Sequence, residues 1–382
     1  MTNREKILDS LTTTQTPVYV YDTEVLNLTL DALDKARGKY NVHYAVKANN
    51  SERIVRIIAE RGYGADCVSI GEIEFAIKCG IRSDRIAYAG VGKTEKEIVR
   101  AIDLSIGCFN VESVEELMII AEIAEKKDAV ANVALRINPD IDAHTHHCIT
   151  TGLAENKFGI DMSVMDDAVK YAASHKNLNF KGLHFHIGSQ ILYEEPFVLL
   201  AERINELLDH IENKLGIEVK SINTGGGLGI DYDTPDKGLV PVFDHYFKPL
   251  LENLKLRENQ ELHCEFGRSI VAQCGTLIGE VQYVKKTPSK RIVILDAGMN
   301  NLIRPALYQA HHHIENISSR ESGTEIYDIV GPICESTDEF AAGLELPVTK
   351  RGDYLAIRSA GAYGASMSSG YNMRPDAKEI FI

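Results

Sequence analysis

Between about residue 42 and residue 265 the chain repeats one unit eight times, a short β-type run followed by a helical segment. The runs cover 42–46, 65–69, 85–89, 108–111, 132–137, 182–187, 219–223 and 262–265. Eight such units in about 250 residues match a closed (β/α)₈ barrel, in which every strand is parallel to its neighbours. A doubly wound open sheet uses the same alternation, but no G-x-G-x-x-G follows the first run. Local cues agree with the rhythm. Ser51 is suited to cap a helix carrying Ile54, Ile57 and Ile58, Thr94 and Glu97 have capping-box spacing, and Gly80 closes the helix over 72–79.

Beyond Gly267 the rhythm breaks. Runs at 276–286, 291–296, 326–329 and 354–359 lie between Gly, Pro and Ser without long helices, which predicts a second, all-β domain. The run at 17–21 precedes the barrel and is expected to join it. The barrel is therefore expected over 25–267, and the β domain over 1–24 with 268–382.

Composition narrows the function. The net charge of −14 argues against a nucleic-acid surface. No apolar run approaches the length of a membrane span, and the first residues lack the apolar core of a signal peptide. Seven cysteines without framework spacing fit reduced thiols and a cytoplasmic location. There is no C-x-x-C pair, so no metal is expected.

Barrels place their chemistry at the C-terminal ends of strands. Lys47 ends the first run; a strand-end lysine ordinarily snorkels to solvent, but the residues before this one read as buried. His186, Gly188, Ser189 and Gln190 end the sixth run, the triple glycine Gly225–Gly227 the seventh, and Glu265, Gly267, Arg268 and Ser269 the eighth. These groups would surround one mouth, and each suits one part of pyridoxal phosphate (PLP). Lys47 would carry it as a Schiff base. Consecutive glycines let backbone N–H groups approach a phosphate, with further donors from Ser189 and near Arg268. Glu265 would pair with the pyridine nitrogen, and His184 or His186 would stack on the ring. A PLP-free barrel holding a sugar phosphate on the glycines uses fewer of these groups and remains open at this point.

The ordered motifs Y-A-V-K-A-N, G-L-H-F-H-I-G-S-Q, N-T-G-G-G-L-G, E-F-G-R, R-P-A-L-Y, G-P-I-C-E-S and G-A-Y-G span nearly the whole chain. In these it resembles the fold-type III PLP-dependent decarboxylases, whose barrel is alanine racemase-like, and most closely the branch acting on meso-diaminopimelate. The resemblance implies Lys47 as the cofactor lysine, His186 over the ring, and Glu265 on its nitrogen. It places Ser189, Gly226, Gly227, Gly267, Arg268 and Tyr363 near the phosphate or its loop. It also implies a substrate site of Arg268, Arg304, Tyr308, Glu335 and Tyr363, with Cys334 as the proton donor. In this family the C-E-S segment crosses a dimer interface, so a homodimer with shared active sites is implied. Two departures stand out: Phe266 replaces the family's usual proline, and Ile70 a commoner small residue.

meso-Diaminopimelate presents a distal carboxylate and a distal ammonium once its reacting end is bound. Arg304 offers a planar fork for the first and Glu335 an anion for the second. A decarboxylase for a diamine-forming substrate such as ornithine has no distal carboxylate to bind and would not need Arg304; arginine and carboxynorspermidine are the other substrates of this polyamine type. A racemase gains nothing from Glu265. A PLP carrier without activity has no use for Cys334 and Glu335. His311–His313 are read as surface or interfacial residues on a helix. His144, His146 and His147, near Asp140 and Asp142, lack rigid metal-ligand spacing, and the loop over 140–157 is long enough for a lid.

Overall fold

The computed structural model describes residues 3–139, 141 and 157–382. The lid segment, with its histidines and aspartates, lies outside the described residues. The chain divides into two compact units. One comprises Leu33–Gly229 and Val242–Gly267, and the other Met1–Ala32, Ile230–Pro241 and Arg268–Ile382. Residues 25–32 and 230–241 thus cluster with the second unit, not with the barrel.

The first strand of the chain, β1 (Val18–Tyr21), belongs to the second unit. The barrel follows as β2 (Tyr40–Ala45), β3 (Gly64–Cys67), β4 (Ile86–Tyr88), β5 (Cys108–Val111), β6 (Ala131–Arg136), β7 (Leu178–His184), β8 (Ser221–Asn223) and β9 (Glu261–Phe266). Each pairs in parallel with the next, and β9 returns to β2 in the register Val42↔Cys264 and His43↔Glu265, which closes the sheet. The eight runs expected from sequence are these eight strands. Their ends moved most at β7, which begins at Leu178 and stops at His184, leaving His186 beyond the strand. A register shift in β7 leaves Lys181 without a partner on β6.

Helices cover the outside by burying one stripe each. The helix Glu95–Asp103 buries Ile98 and Ala101, and Thr94 and Glu97 close the expected capping box. Ser69 and Ser113 cap their helices with half of that motif, each accepting a backbone N–H three residues on. Ser51 stands at the N-cap of Glu52–Glu60, but its side chain makes no capping bond there. Phe266, where proline was the familiar residue, is fully buried on the helix-facing side of β9. It meets Tyr246 at 4.8 Å, Phe247 at 5.6 Å and Phe243 at 5.7 Å between ring centroids. A large ring is therefore the element that joins β9 to the helix Asp244–Asn253.

The second unit is built on an eight-stranded sheet containing β10 (Gly275–Lys286), β11 (Arg291–Leu295), β12 (Ile314–Asn316), β13 (Thr324–Val330), β14 (Glu339–Pro347), β15 (Tyr354–Ile357) and β16 (Lys378–Phe381). The early run joins it as expected: β1 lies antiparallel to β10 and parallel to β16. Ile7, Leu11, Val18, Val20, Ile278, Ile317 and Ala356 form a core beneath it.

Candidate active site

The barrel interior is polar where many barrels are packed with branched aliphatics. Strand alternation turns His43, Asp66, Asn110, Asn223, His263 and Glu265 inward, because each alternates with a residue that faces the helices. Glu265 is at the centre of this set. Its Oε1 accepts from Asn110 Nδ2 at 3.1 Å and from Asn223 Nδ2 at 2.7 Å, and its Oε2 meets His184 Nε2 at 3.1 Å. Burial alone would push the Glu265 carboxyl up, but His184, and then Lys47 and His186, hold it far below the ordinary carboxylate range. It is an ionised acceptor in the barrel's interior.

Lys47 is in a single helical turn, Val46–Ala48, directly after β2. Its Nζ meets Asp66 Oδ2 at 2.5 Å, and while Asp66 is buried, the lysine side chain is 39% exposed. The lysine is thus half-exposed, with its amino group bonded to a buried carboxyl group. Burial, and next the Glu265 charge, raise the Asp66 pKa, against which Lys47 works. Asp66 escaped the sequence reading; nothing in A-D-C distinguishes it until β3 is laid beside β2, with Ala45 opposite Asp66.

His184 and His186 have separate roles. His184 ends β7 opposite Asn223 of β8 and serves Glu265. His186 Nδ1 accepts from Gly226 N–H at 3.3 Å, and burial pushes its pKa down to about 3, so the ring is neutral. The three glycines are constrained as a cradle. Gly225 and Gly227 have φ of +69° and +104°, and a Cβ on Gly226 would fall 1.8 Å from the Glu265 carbonyl oxygen. Their N–H groups are less free than expected. That of Gly225 is taken by Asn223 Oδ1 at 2.9 Å, that of Gly226 by the long contact to His186, and only that of Gly227 has no acceptor among the described residues. Gly267 is needed for another reason: a Cβ there would meet Ala48 at 2.8 Å, beside Lys47. Ser189 lies on the loop after β7, next to Gln190 at φ +64°. A half-exposed lysine, a neutral imidazole, an ionised carboxylate and a glycine cradle are the set that PLP requires, and these residues fit it.

A buried ion pair supports the rim: Arg136 donates to both oxygens of Glu112 at 2.8 and 3.1 Å. Lower in the barrel lies a cavity of about 240 Å³ lined by Lys181, Asn132, Ser221 and the hydrogen-bonded pair His43–His263.

A second cluster belongs to the other unit. Arg268 donates to Tyr232 Oη at 2.8 Å, and its guanidinium lies 4.9 Å from the Tyr363 ring centroid. Tyr363 holds φ +57°, a conformation that costs a tyrosine about 1 kcal/mol or more and marks a constrained position. Arg304 opens the short helix Arg304–Tyr308, as the i, i+4 spacing suggested. It is buried, stacks on Tyr232 at 4.8 Å, and donates to His312 Nε2 at 2.8 Å. Burial lowers its pKa, and among the described residues no carboxylate pairs with it. His312 corrects the reading of His311–His313. The helix ends at Tyr308, and His312 is buried, with Nδ1–H donating to Arg358 O at 2.8 Å and its pKa pushed by burial to about 3. Tyr308 is half-buried.

Cys334 and Glu335 are both exposed. Their loop is pinned from behind by buried Asp338, whose carboxylate accepts from Met299 N–H at 2.6 Å and Ile333 N–H at 2.7 Å. Asn372 accepts from Cys334 N–H at 2.9 Å, and Tyr371 Oη donates to Glu335 at 2.5 Å. The six cysteines among the described residues are free thiols. No helix among the described residues is long and apolar enough to cross a membrane.

Residues 24–272 match the family model described as the pyridoxal-dependent decarboxylase, pyridoxal binding domain. The chain is 54% identical to a diaminopimelate decarboxylase of Bacteroides thetaiotaomicron over 96% of its own length and 95% of the relative's. Identity to the diaminopimelate decarboxylase of Aquifex aeolicus is 45%, over 96% and 86%. Among solved structures, the Helicobacter pylori diaminopimelate decarboxylase complexed with L-lysine superposes with a TM-score of 0.92 at 40% identity, covering 100% of this chain and 94% of that one.

Proposed function

The chain belongs to the pyridoxal-dependent decarboxylases, and from that membership we propose that it converts meso-diaminopimelate to L-lysine and CO₂ with PLP held in its barrel. The observation that carries the reading is the Glu265 carboxylate, buried, ionised and fixed by three side-chain partners within the barrel that bears Lys47. Bound PLP supplies an electron-withdrawing ring that stabilises the carbon left when CO₂ departs. The chain's own residues do the rest. Lys47 would hold the cofactor, Glu265 would keep a proton on its ring nitrogen, and neutral His186 would pack against its ring. Ser189, Gly226, Gly227, Arg268 and Tyr363 hold the phosphate, and Gly267 leaves room beside Lys47.

Arg304, supported by Arg268, Tyr308 and Tyr363, binds the distal carboxylate; a buried guanidinium with no carboxylate partner among the described residues favours an anionic ligand. Glu335 binds the distal ammonium. Cys334 Sγ would supply the proton that replaces the lost carboxylate on that carbon. The exposure of Cys334 and Glu335 supports a homodimer in which they serve the partner's barrel. Free thiols support work in a reducing cytoplasm.

The test is product analysis with meso-diaminopimelate, ornithine, arginine and carboxynorspermidine offered separately. Equimolar CO₂ and lysine from the first, and little turnover of the others, is the expected result. No lysine from diaminopimelate would exclude the assignment.

A further inference from the structure

Asn223 is occupied at both ends of its amide. Nδ2 donates to Glu265 Oε1 at 2.7 Å, and Oδ1 accepts from Gly225 N–H at 2.9 Å. The second contact fixes which way the amide is turned, so the donor faces the carboxylate. Gly225 is the first residue of the glycine cradle and, at φ +69°, has the backbone freedom that a side-chain bond must restrain. The two ends are also tied through the main chain, since Glu265 N–H donates to Gly225 O at 2.8 Å. Asn110 provides the internal comparison. It donates to the same Oε1 at 3.1 Å, arrives from β5, and has no bond to the glycines.

Resting on the reading of this barrel as a PLP site, we propose that Asn223 is a positioning residue that fixes the phosphate loop and the ring-nitrogen carboxylate with one side chain. Its Oδ1 holds the loop in shape for the phosphate, and its Nδ2 holds Glu265 for the ring. Removing it leaves a buried N–H and a buried carboxylate each short of a partner, and both ends of the cofactor site slacken together. Removing Asn110 disturbs only the carboxylate.

Equilibrium binding separates these effects without an activity assay. PLP and pyridoxal, which lacks the phosphate, are titrated into the full chain freed of cofactor, and the ratio of their dissociation constants measures what the phosphate contributes. In Asn223→Ala both ligands bind more weakly, and the ratio falls about tenfold, the size of one lost hydrogen bond to a buried group. In Asn110→Ser both weaken alike, and the ratio stays within about twofold of wild type. Asn223→Asp keeps an acceptor for Gly225 but sets a second carboxyl against Glu265, where the two share one proton, so both ligands weaken while the ratio stays within about twofold of wild type; it is decisive if the alanine variant does not fold. An unchanged ratio in Asn223→Ala, an equal fall in Asn110→Ser, or a tenfold fall in Asn223→Asp would overturn the proposal. A wild-type chain that binds neither ligand would overturn the functional reading and this inference with it.

Discussion

Burial keeps four imidazoles, His43, His186, His263 and His312, neutral by pushing their pKa values to about 4, 3, 4 and 3 from an ordinary 6.5. In the unfolded chain each takes a proton near 6.5, whereas the folded chain refuses it until the pH is much lower. Between those values the unfolded state holds more protons, so stability is fully present above about pH 6.5 and declines as pH falls towards 4. His43→Asn removes one such group. Urea titrations at pH 7 and pH 5 should show wild type losing about 2 kcal/mol more than the variant. Equal losses would mean that His43 is not held neutral. Glu265 has the opposite character, an ionised carboxylate kept so by neighbours. Glu265→Gln should lower kcat about 10²-fold or more with little change in KM, read from steady-state kinetics on holoenzyme.

Among the elements, β9 carries the most. Phe266 seals it against the helix behind it, and Phe266→Ala should cost about 3–5 kcal/mol in denaturant unfolding, with the site's chemistry altered only through the loss of stability. All eight barrel strands could be read in advance because helix caps, glycines and apolar runs recur together. Three strands of the other unit could not. β12 has only three residues, β16 is the extreme C-terminus and is recognisable only once β1 lies beside it, and β14 buries only Phe340 and Leu346 and is broken by Gly343 at φ +64°. Strands with little burial leave little hydrophobic pattern to follow.

For the molecule as a whole, residues that end strands or cluster in motifs were legible, since a lysine, a glutamate or three glycines at a strand end is unusual on its face. Their supports were not. Asp66, Asn110 and Asn223 are ordinary residue types, and Asn110 meets Glu265 across 155 residues of sequence. His312 looked like surface because its partners, Arg304 and Arg358, converge only after folding. Sharing of sites between subunits has its own test. Lys47→Ala and Cys334→Ala chains, each nearly inactive, should on mixing regain up to about a quarter of wild-type activity, because exchange makes dimers with one intact site. No recovery after subunit exchange would confine each site to one chain. Everything else depends on Lys47 holding the cofactor. Borohydride reduction of the yellow protein, followed by peptide mass analysis, should find the pyridoxyl phosphate mass on Lys47 and none in Lys47→Ala. A colourless protein that PLP does not change, or the added mass on another lysine, would contradict that role.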